Sequence, residues 1–425
     1  MMKTLIKGGW VVDPSQNINE PLDVLMHNGK IEKIERNIPE ESHKVIYVCG
    51  KYVVPGLIDM HVHFREPGFE KKETIETGSL AAVAGGFTSV VCMPNTNPVI
   101  DCVDVVDFIK DKANMAACNI YMMGSITKNL DGIEMSSYKN LMEAGIVGIT
   151  DDGKTVMDTS IMYEAFKEAK KLNLLVSTHC EDINLVYDRS INKGEISKQL
   201  NLQGIPKVAE ESIILRDIFL AEKTGARIHI QHISTKRGIE LIREAKKKGI
   251  KVSCEATPHH FTLTDKAILK QGSNAKMSPP LRSDEDVEAI FKGLLDGTID
   301  VIATDHAPHT EEDKNKNLVE SANGIIGLET ALGLALTELV HKGNMTLEDI
   351  IRKFSCNPAK LLNIKKGTLK IGSDADITII DLEKEWIVDK NKFYSKAKNT
   401  PFDGYKLKGK AIMTIVDGEF RYVAV

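Results

Sequence analysis

Between residues 53 and 366, short apolar runs alternate with helical periodicity, and this alternation narrows the fold more than any other feature. Eight runs occupy 53–63, 88–93, 119–123, 146–152, 174–179, 227–233, 251–257 and 300–305. Amphipathic stretches lie between or after them, at 74–84, 103–113, 161–172, 208–224, 236–248, 285–295 and 328–340. The runs are short and mostly apolar, the mark of parallel strands covered on both faces. Eight strand–helix units in series predict an α/β fold, a (β/α)8 TIM barrel. An open doubly wound sheet is the competing arrangement. The number of units disfavours it, and no Gly-x-Gly-x-x-Gly turn follows the first strand.

The flanks carry a different pattern. Residues 1–52 form short alternating segments, and Asn28-Gly29 between two of them is a hairpin signal. The same β pattern returns in 367–425, with Ile377-Thr378-Ile379-Ile380 and a run at 410–416 closed by Asp417-Gly418. Each flank is too short to bury a sheet alone. The expectation is one small β-sandwich built from both chain ends, residues 1–52 and 367–425, with the barrel of 53–366 inserted between them. The polar stretch 310–317 is expected to be a mobile loop.

Composition excludes some functions. The 425 residues carry a net charge of -5 with both signs interspersed, so nucleic acid and anionic membranes are not expected partners. No apolar run approaches the roughly 18 residues of a membrane span, and no signal-peptide pattern opens the chain. The seven cysteines are widely spaced, mostly in apolar runs, and form no Cys-x-x-Cys pair. That fits small buried side chains in a reducing cytoplasm.

In a barrel, chemistry sits at the C-terminal ends of the strands. The first run ends in His61-Val62-His63, the fourth in Thr150-Asp151-Asp152-Gly153, the fifth in His179, the sixth in His232 and the eighth in Asp305. Four histidines and two aspartates at one level are the composition of a metal site. Alternation along the strands selects among them. It puts His61, His63 and Asp59 on the inward face, with Ile58, Met60 and Val62 outward. It puts Val147 and Ile149 outward and Asp152 inward, leaving Asp151 as a turn or supporting residue.

Several motifs together carry a resemblance. They are Gly56-Leu57-Ile58-Asp59-Met60-His61-Val62-His63-Phe64-Arg65-Glu66-Pro67-Gly68 and Met93-Pro94-Asn95-Thr96-Asn97-Pro98. Thr150-Asp151-Asp152-Gly153, Cys254-Glu255-Ala256-Thr257-Pro258-His259-His260 and Ala303-Thr304-Asp305-His306-Ala307-Pro308-His309 complete the set. With these, essentially the whole chain resembles the amidohydrolase superfamily, and more narrowly its class I dihydroorotases of the bacterial monofunctional type.

The resemblance implies a dihydroorotase activity with two zinc ions per chain. His61 and His63 would bind one ion, His179 and His232 the other; Asp152 would bridge them, and Asp305 would bind the first and act as the catalytic base. Lys154 in the adjacent loop leaves a modified-lysine bridge as an alternative. The resemblance also implies substrate contacts from His63, Arg65, Asn95, Ser278, His309, Asn323 and Gly324. Arg65 suits a carboxylate through a bidentate pair. Ser278 stands where the family usually has an asparagine, and its side chain supplies no amide. The partner is a small molecule, dihydroorotate or N-carbamoyl-L-aspartate; a homodimer and an association with aspartate transcarbamoylase are compatible with the family. The alternatives are a hydantoinase or allantoinase, and a metal-free paralogue serving aspartate transcarbamoylase as a structural partner.

Overall fold

The computed structural model describes residues 3–41 and 43–424. The N-terminal strands are β1 (Thr4–Asp13), β2 (Ile18–His27), β3 (Lys30–Glu35), β4 (Lys44–Tyr47) and β5 (Tyr52–Pro55). Eight barrel strands follow: β6 (Leu57–Val62), β7 (Phe87–Cys92), β8 (Asn119–Gly124), β9 (Gly148–Ile149), β10 (Leu175–Thr178), β11 (Arg227–Ile230), β12 (Val252–Ala256) and β13 (Val301–Ile302). The chain closes with β14 (Ile377–Ile387), β15 (Lys406–Val416) and β16 (Glu419–Val423).

The two chain ends share one mixed sheet in the order β16-β15-β14-β5-β1-β2-β3, with β4 beside β1. Asn28 and Gly29 turn the β2–β3 hairpin with φ of 49° and 73°, the backbone that an Asn-Gly turn favours. That turn reaches the C-terminal segment, where Ala375 N donates to Gly29 O at 2.8 Å and Ile31 N to Ser373 O at 3.0 Å. Val11, Val24 and Ile31 from one end bury against Ile377, Ile379 and Ile415 from the other. The apolar face of either end is therefore covered by the other.

The run 53–63 is two strands rather than one. Tyr52–Pro55 pairs with Ile377–Ile380 in the end sheet, and Leu57–Val62 opens the barrel. The chain passes between sheets at Gly56, where a Cβ would lie 2.0 Å from Thr88 Oγ1. No other residue type fits that crossing without moving Thr88.

The barrel strands run in parallel in the order β13-β12-β11-β10-β9-β8-β7-β6. The ring closes through a parallel bridge between Val62 and His306, with His63 N donating to His306 O at 3.0 Å. The buried Asp59 carboxylate spans the same seam, its Oδ1 accepting from Thr304 N and His61 N, both at 3.1 Å. On the outer face Ile149, Val176, Ile228, Cys254 and Ile302 pack with helix residues Phe166, Ile214, Ile242 and Ile290.

Simple alternation fails on β6. Its pairing with β7 is irregular between Asp59 and Val62, where three steps on β6 match two on β7. Ile58 and Met60, expected outward, share a buried cluster with Val91, Met123, Leu175 and Val301 from four other strands. Residues from such separated strands meet only inside the ring, so Ile58 and Met60 fill the barrel floor. Val147 also packs on this cluster, because β9 is two residues long and alternation does not extend beyond it. The stretch 310–317, expected as a mobile loop, contains a helical turn, Glu311–Lys314, capped by Thr310.

The crossing generates a stability prediction. Gly56→Ala should lose about 1–3 kcal/mol in urea unfolding through overpacking. Thr88→Ala in the same chain should recover part of the loss; an unchanged midpoint in the single variant would show that the crossing is not tightly packed.

Candidate metal centre

Six side chains from five strand ends converge at the barrel mouth. His61 lies on β6 and His63 just past it; Asp152, His179, His232 and Asp305 follow β9, β10, β11 and β13. All six are buried. His232 and Asp305 have φ of 29° and 46°, and Arg65 has 62°. Such left-handed backbone costs about 1–3 kcal/mol per non-glycine residue and is found where surrounding structure enforces it.

Asp152 stands at the centre. Its Oδ1 is 3.4 Å from His61 Nε2, 3.8 Å from His179 Nδ1 and 3.9 Å from His232 Nε2, and its Oδ2 is 3.4 Å from His63 Nε2. Asp305 Oδ1 lies 2.9 Å from His63 Nε2 and 3.5 Å from His61 Nε2. His179 Nδ1 and His232 Nε2 face each other at 3.0 Å. Burial opposes the charge on Asp152, but His61 and His232 outweigh it and hold its carboxyl well below the usual range. Burial also opposes a charged His61, and Asp305, Glu255 and Asp152 together raise that imidazole well above its ordinary value.

Two triads have donor atoms close enough to hold a cation: His61 with His63 and Asp305, and His61 with Asp152 and His232. His61 Nε2 is buried with no hydrogen-bond partner. Imidazole and carboxylate donors with a buried orphan nitrogen fit a zinc-type ion.

The support around these groups is specific. Glu255 Oε1 accepts from His61 Nδ1 at 2.6 Å and from His232 N at 3.2 Å, and its Oε2 is 3.1 Å from His229 Nε2. The first bond turns Nε2 of His61 toward the cluster. Burial alone would raise the Glu255 carboxyl; His61 and His229 instead hold it well below its ordinary value. Asn95 Oδ1 accepts from His63 Nδ1 at 2.9 Å, and its Nδ2 donates to Asp152 Oδ2 at 3.2 Å. Its amide, expected on substrate, is thus engaged by two members of the cluster. Asp151 turns away and accepts from Ile126 N at 2.7 Å and Thr127 N at 3.0 Å.

A cavity of about 220 Å³ opens onto the cluster, lined among others by His63, Arg65, Asn95, Ser278, His309 and Asn323. Arg65 Nε donates to Pro308 O at 3.3 Å, and its Nη2 lies 3.5 Å from the His309 ring. His309 Nε2 donates to Asn323 O at 2.8 Å, and Lys72 Nζ reaches its Nδ1 at 3.3 Å. Ser278 Oγ donates to Glu181 Oε2 at 3.4 Å. Gly324 is not among the residues lining the cavity. Its N donates to Lys276 O, and its O accepts from Lys314 Nζ and Asn399 Nδ2, each at 3.0 Å. A Cβ there would lie 2.6 Å from His309, so the position has no room for a side chain.

Three supporting residues escaped the strand-end reading. Glu255 had a signal: in Val252-Ser253-Cys254-Glu255-Ala256 the polar residues alternate with apolar ones, placing a carboxylate on the inner face. Lys314 falls in the stretch whose polarity predicts a loop; its buried ammonium holds Ala322 O at 2.8 Å and Gly324 O. Asn399, from the C-terminal segment, accepts from His309 N at 3.1 Å and donates to Ala307 O at 3.0 Å. Nothing in its local sequence marks it. Glu255→Gln keeps the volume but removes the charge that orients His61. Zinc affinity in a competition titration should fall about 10–100-fold with the circular dichroism spectrum unchanged; equal affinity would reduce Glu255 to a packing role.

Comparison with known proteins places this geometry. The amidohydrolase family signature matches residues 52–421. Dihydroorotases of Pelotomaculum thermopropionicum and Acetivibrio thermocellus are 51% and 50% identical to the chain, covering 98% and 97% of both partners. Among solved structures, the L-hydantoinase (dihydropyrimidinase) of Arthrobacter aurescens superposes with a TM-score of 0.90 at 28% identity, over 100% of this chain and 96% of its own. The D-hydantoinase (dihydropyrimidinase) of a Thermus species gives 0.87 at 26%, over 99% and 95%. The chain belongs to the amidohydrolase family, and within it to the dihydroorotases.

Proposed function

We propose that the chain hydrolyses the cyclic amide of (S)-dihydroorotate to N-carbamoyl-L-aspartate and closes the ring in the reverse direction, the third step of pyrimidine biosynthesis de novo. The observation that carries the reading is the cavity wall: an arginine beside six converging donor side chains. Burial pushes the Arg65 guanidinium down to about 10, so it stays charged at neutral pH. A ring bearing a carboxylate fits that charge; a plain hydantoin has no group to meet it.

Two zinc ions would be held by His61, His63 and Asp305 on one side and by His179 and His232 on the other, with Asp152 between them. Zinc bound there would supply Lewis acidity, which lowers the pKa of water to about 7 and polarises a carbonyl. The protein's own groups do the rest. Arg65 binds the substrate carboxylate, and His309 stands beside it, its ring fixed by Asn323 O and Lys72. His63, Asn95, Ser278 and Asn323 shape the remaining wall. Asp305 takes a proton from the attacking water and delivers it to the ring nitrogen as the C–N bond breaks. The water oxygen becomes part of the new carboxylate.

The likeness to hydantoinases makes a hydantoin the competing substrate. A catalytically silent partner of aspartate transcarbamoylase would have no use for six such side chains around one point. Purified protein should carry close to two zinc per chain and lose activity on chelation. Asp305→Ala should lower kcat about 10²–10⁴-fold while remaining folded. In a paired assay dihydroorotate should turn over and hydantoin should not; the opposite result would overturn the substrate assignment.

A further inference from the structure

Beside the cavity lies a second, larger cleft of about 500 Å³, and His309 lines both. Its walls come from four places: the segments after β6, β12 and β13 and the C-terminal stretch that precedes β15. Six lysines line it, Lys71, Lys72, Lys314, Lys390, Lys396 and Lys398, against one carboxylate among the described lining residues, Glu311. This concentration of cations sits on a chain whose net charge is -5.

Apart from Lys71 the lysines are held in place, mostly by backbone carbonyls rather than by neutralising partners. Lys396 Nζ donates to Glu70 O at 2.5 Å, and Lys398 Nζ to Phe393 O and Ser395 O, both at 2.8 Å. Carbonyls fix an ammonium but leave its charge uncancelled. Lys72 pairs with Asp313 at 3.2 Å and Lys390 with Asp403 at 3.8 Å. Lys314 turns inward to backbone carbonyls, and burial pushes its ammonium down to about 7. The wall between cleft and cavity registers the field. His309 is held well below its ordinary pKa first by burial and then by Arg65 and Lys72.

We propose that this lysine-lined cleft is the docking site through which the open-chain dicarboxylate enters the metal cavity. The proposal rests on the reaction assigned above, whose two substrates differ in charge: N-carbamoyl-L-aspartate carries two carboxylates and dihydroorotate one. The work of bringing an ion to a fixed potential scales with its charge, so the cleft favours the dicarboxylate. It raises the local concentration of that substrate at the mouth and so lowers its KM.

The test uses the full-length zinc-loaded protein with Lys71→Gln and Lys396→Gln combined. Both residues are exposed. At low salt, KM for dihydroorotate should rise about threefold and KM for N-carbamoyl-L-aspartate about tenfold, the square of the first factor, while kcat/KM falls by one common factor in the two directions because the equilibrium constant is fixed. Both KM changes should shrink toward unity at about 0.5 M salt, where the Debye length is a few ångströms. Lys247→Gln, at the end of a helix leading to the opposite mouth of the barrel, should change neither. An equal rise in the two KM values, no rise, or the same rise in Lys247→Gln would overturn the docking role. If neither substrate is turned over, the assigned reaction fails by itself. The cleft is then judged by calorimetry with succinate: binding weakened about tenfold in the double variant supports it, and unchanged binding overturns it.

Discussion

The Asp152 carboxylate lies buried with four imidazoles directed at its two oxygens, at 3.4 to 3.9 Å. Each of these groups would cost several kcal/mol to bury alone as an ion. Together they are tolerated because each offsets its neighbours, and because polar groups behind them are themselves bonded. Glu255 holds His61 and the backbone of His232; Asn95 joins His63 to Asp152. The strand ends consequently cannot drift independently. A shift of one would leave a buried charge without its partner.

The ring seam has the same dependence. Three of the six donors, His61, His63 and Asp305, flank the closure between β6 and β13, where β13 is two residues long. Few ladder bonds can form there. Asp59 compensates with a side-chain carboxylate that accepts from both strands, one residue before Asp305 on one side and at His61 on the other. Beneath it, Ile58 and Met60 fill the floor. The irregular pairing on β6 allows apolar filling and the imidazoles of His61 and His63 to come from one short strand and the residue that follows it.

The C-terminal segment between the last barrel helix and the end of the chain also serves the mouth. Asn399 ties the segments carrying Ala307, His309 and Gly324 together, and Ser395 donates to Glu73 at 2.5 Å. The sheet made from both chain ends thereby anchors one wall of the cleft. This gives a physical reason for joining a barrel to a sheet built from distant ends: the shared sheet holds the returning segment against the barrel top.

The βα period, the return of β pattern after the barrel and the donors at the strand ends were legible in the sequence, because burial on both strand faces and metal affinity restrict residue type locally. The Asn28-Gly29 hairpin was legible for the same reason. Other features depend on contacts between residues far apart in the chain. The crossing at Gly56 is dictated by Thr88, the orientation of Ile58 and Met60 by an irregular strand pairing, and the place of Asn399 by the end sheet. Residue identity alone determined which atoms were available as ligands and that eight strands would present them. Only the tertiary structure decided which nitrogen of His61 faces the cluster, that Asn95 is engaged there, and that six lysines gather beside it. Those outcomes follow from hydrogen-bond partners and charges that meet in space without being neighbours along the chain.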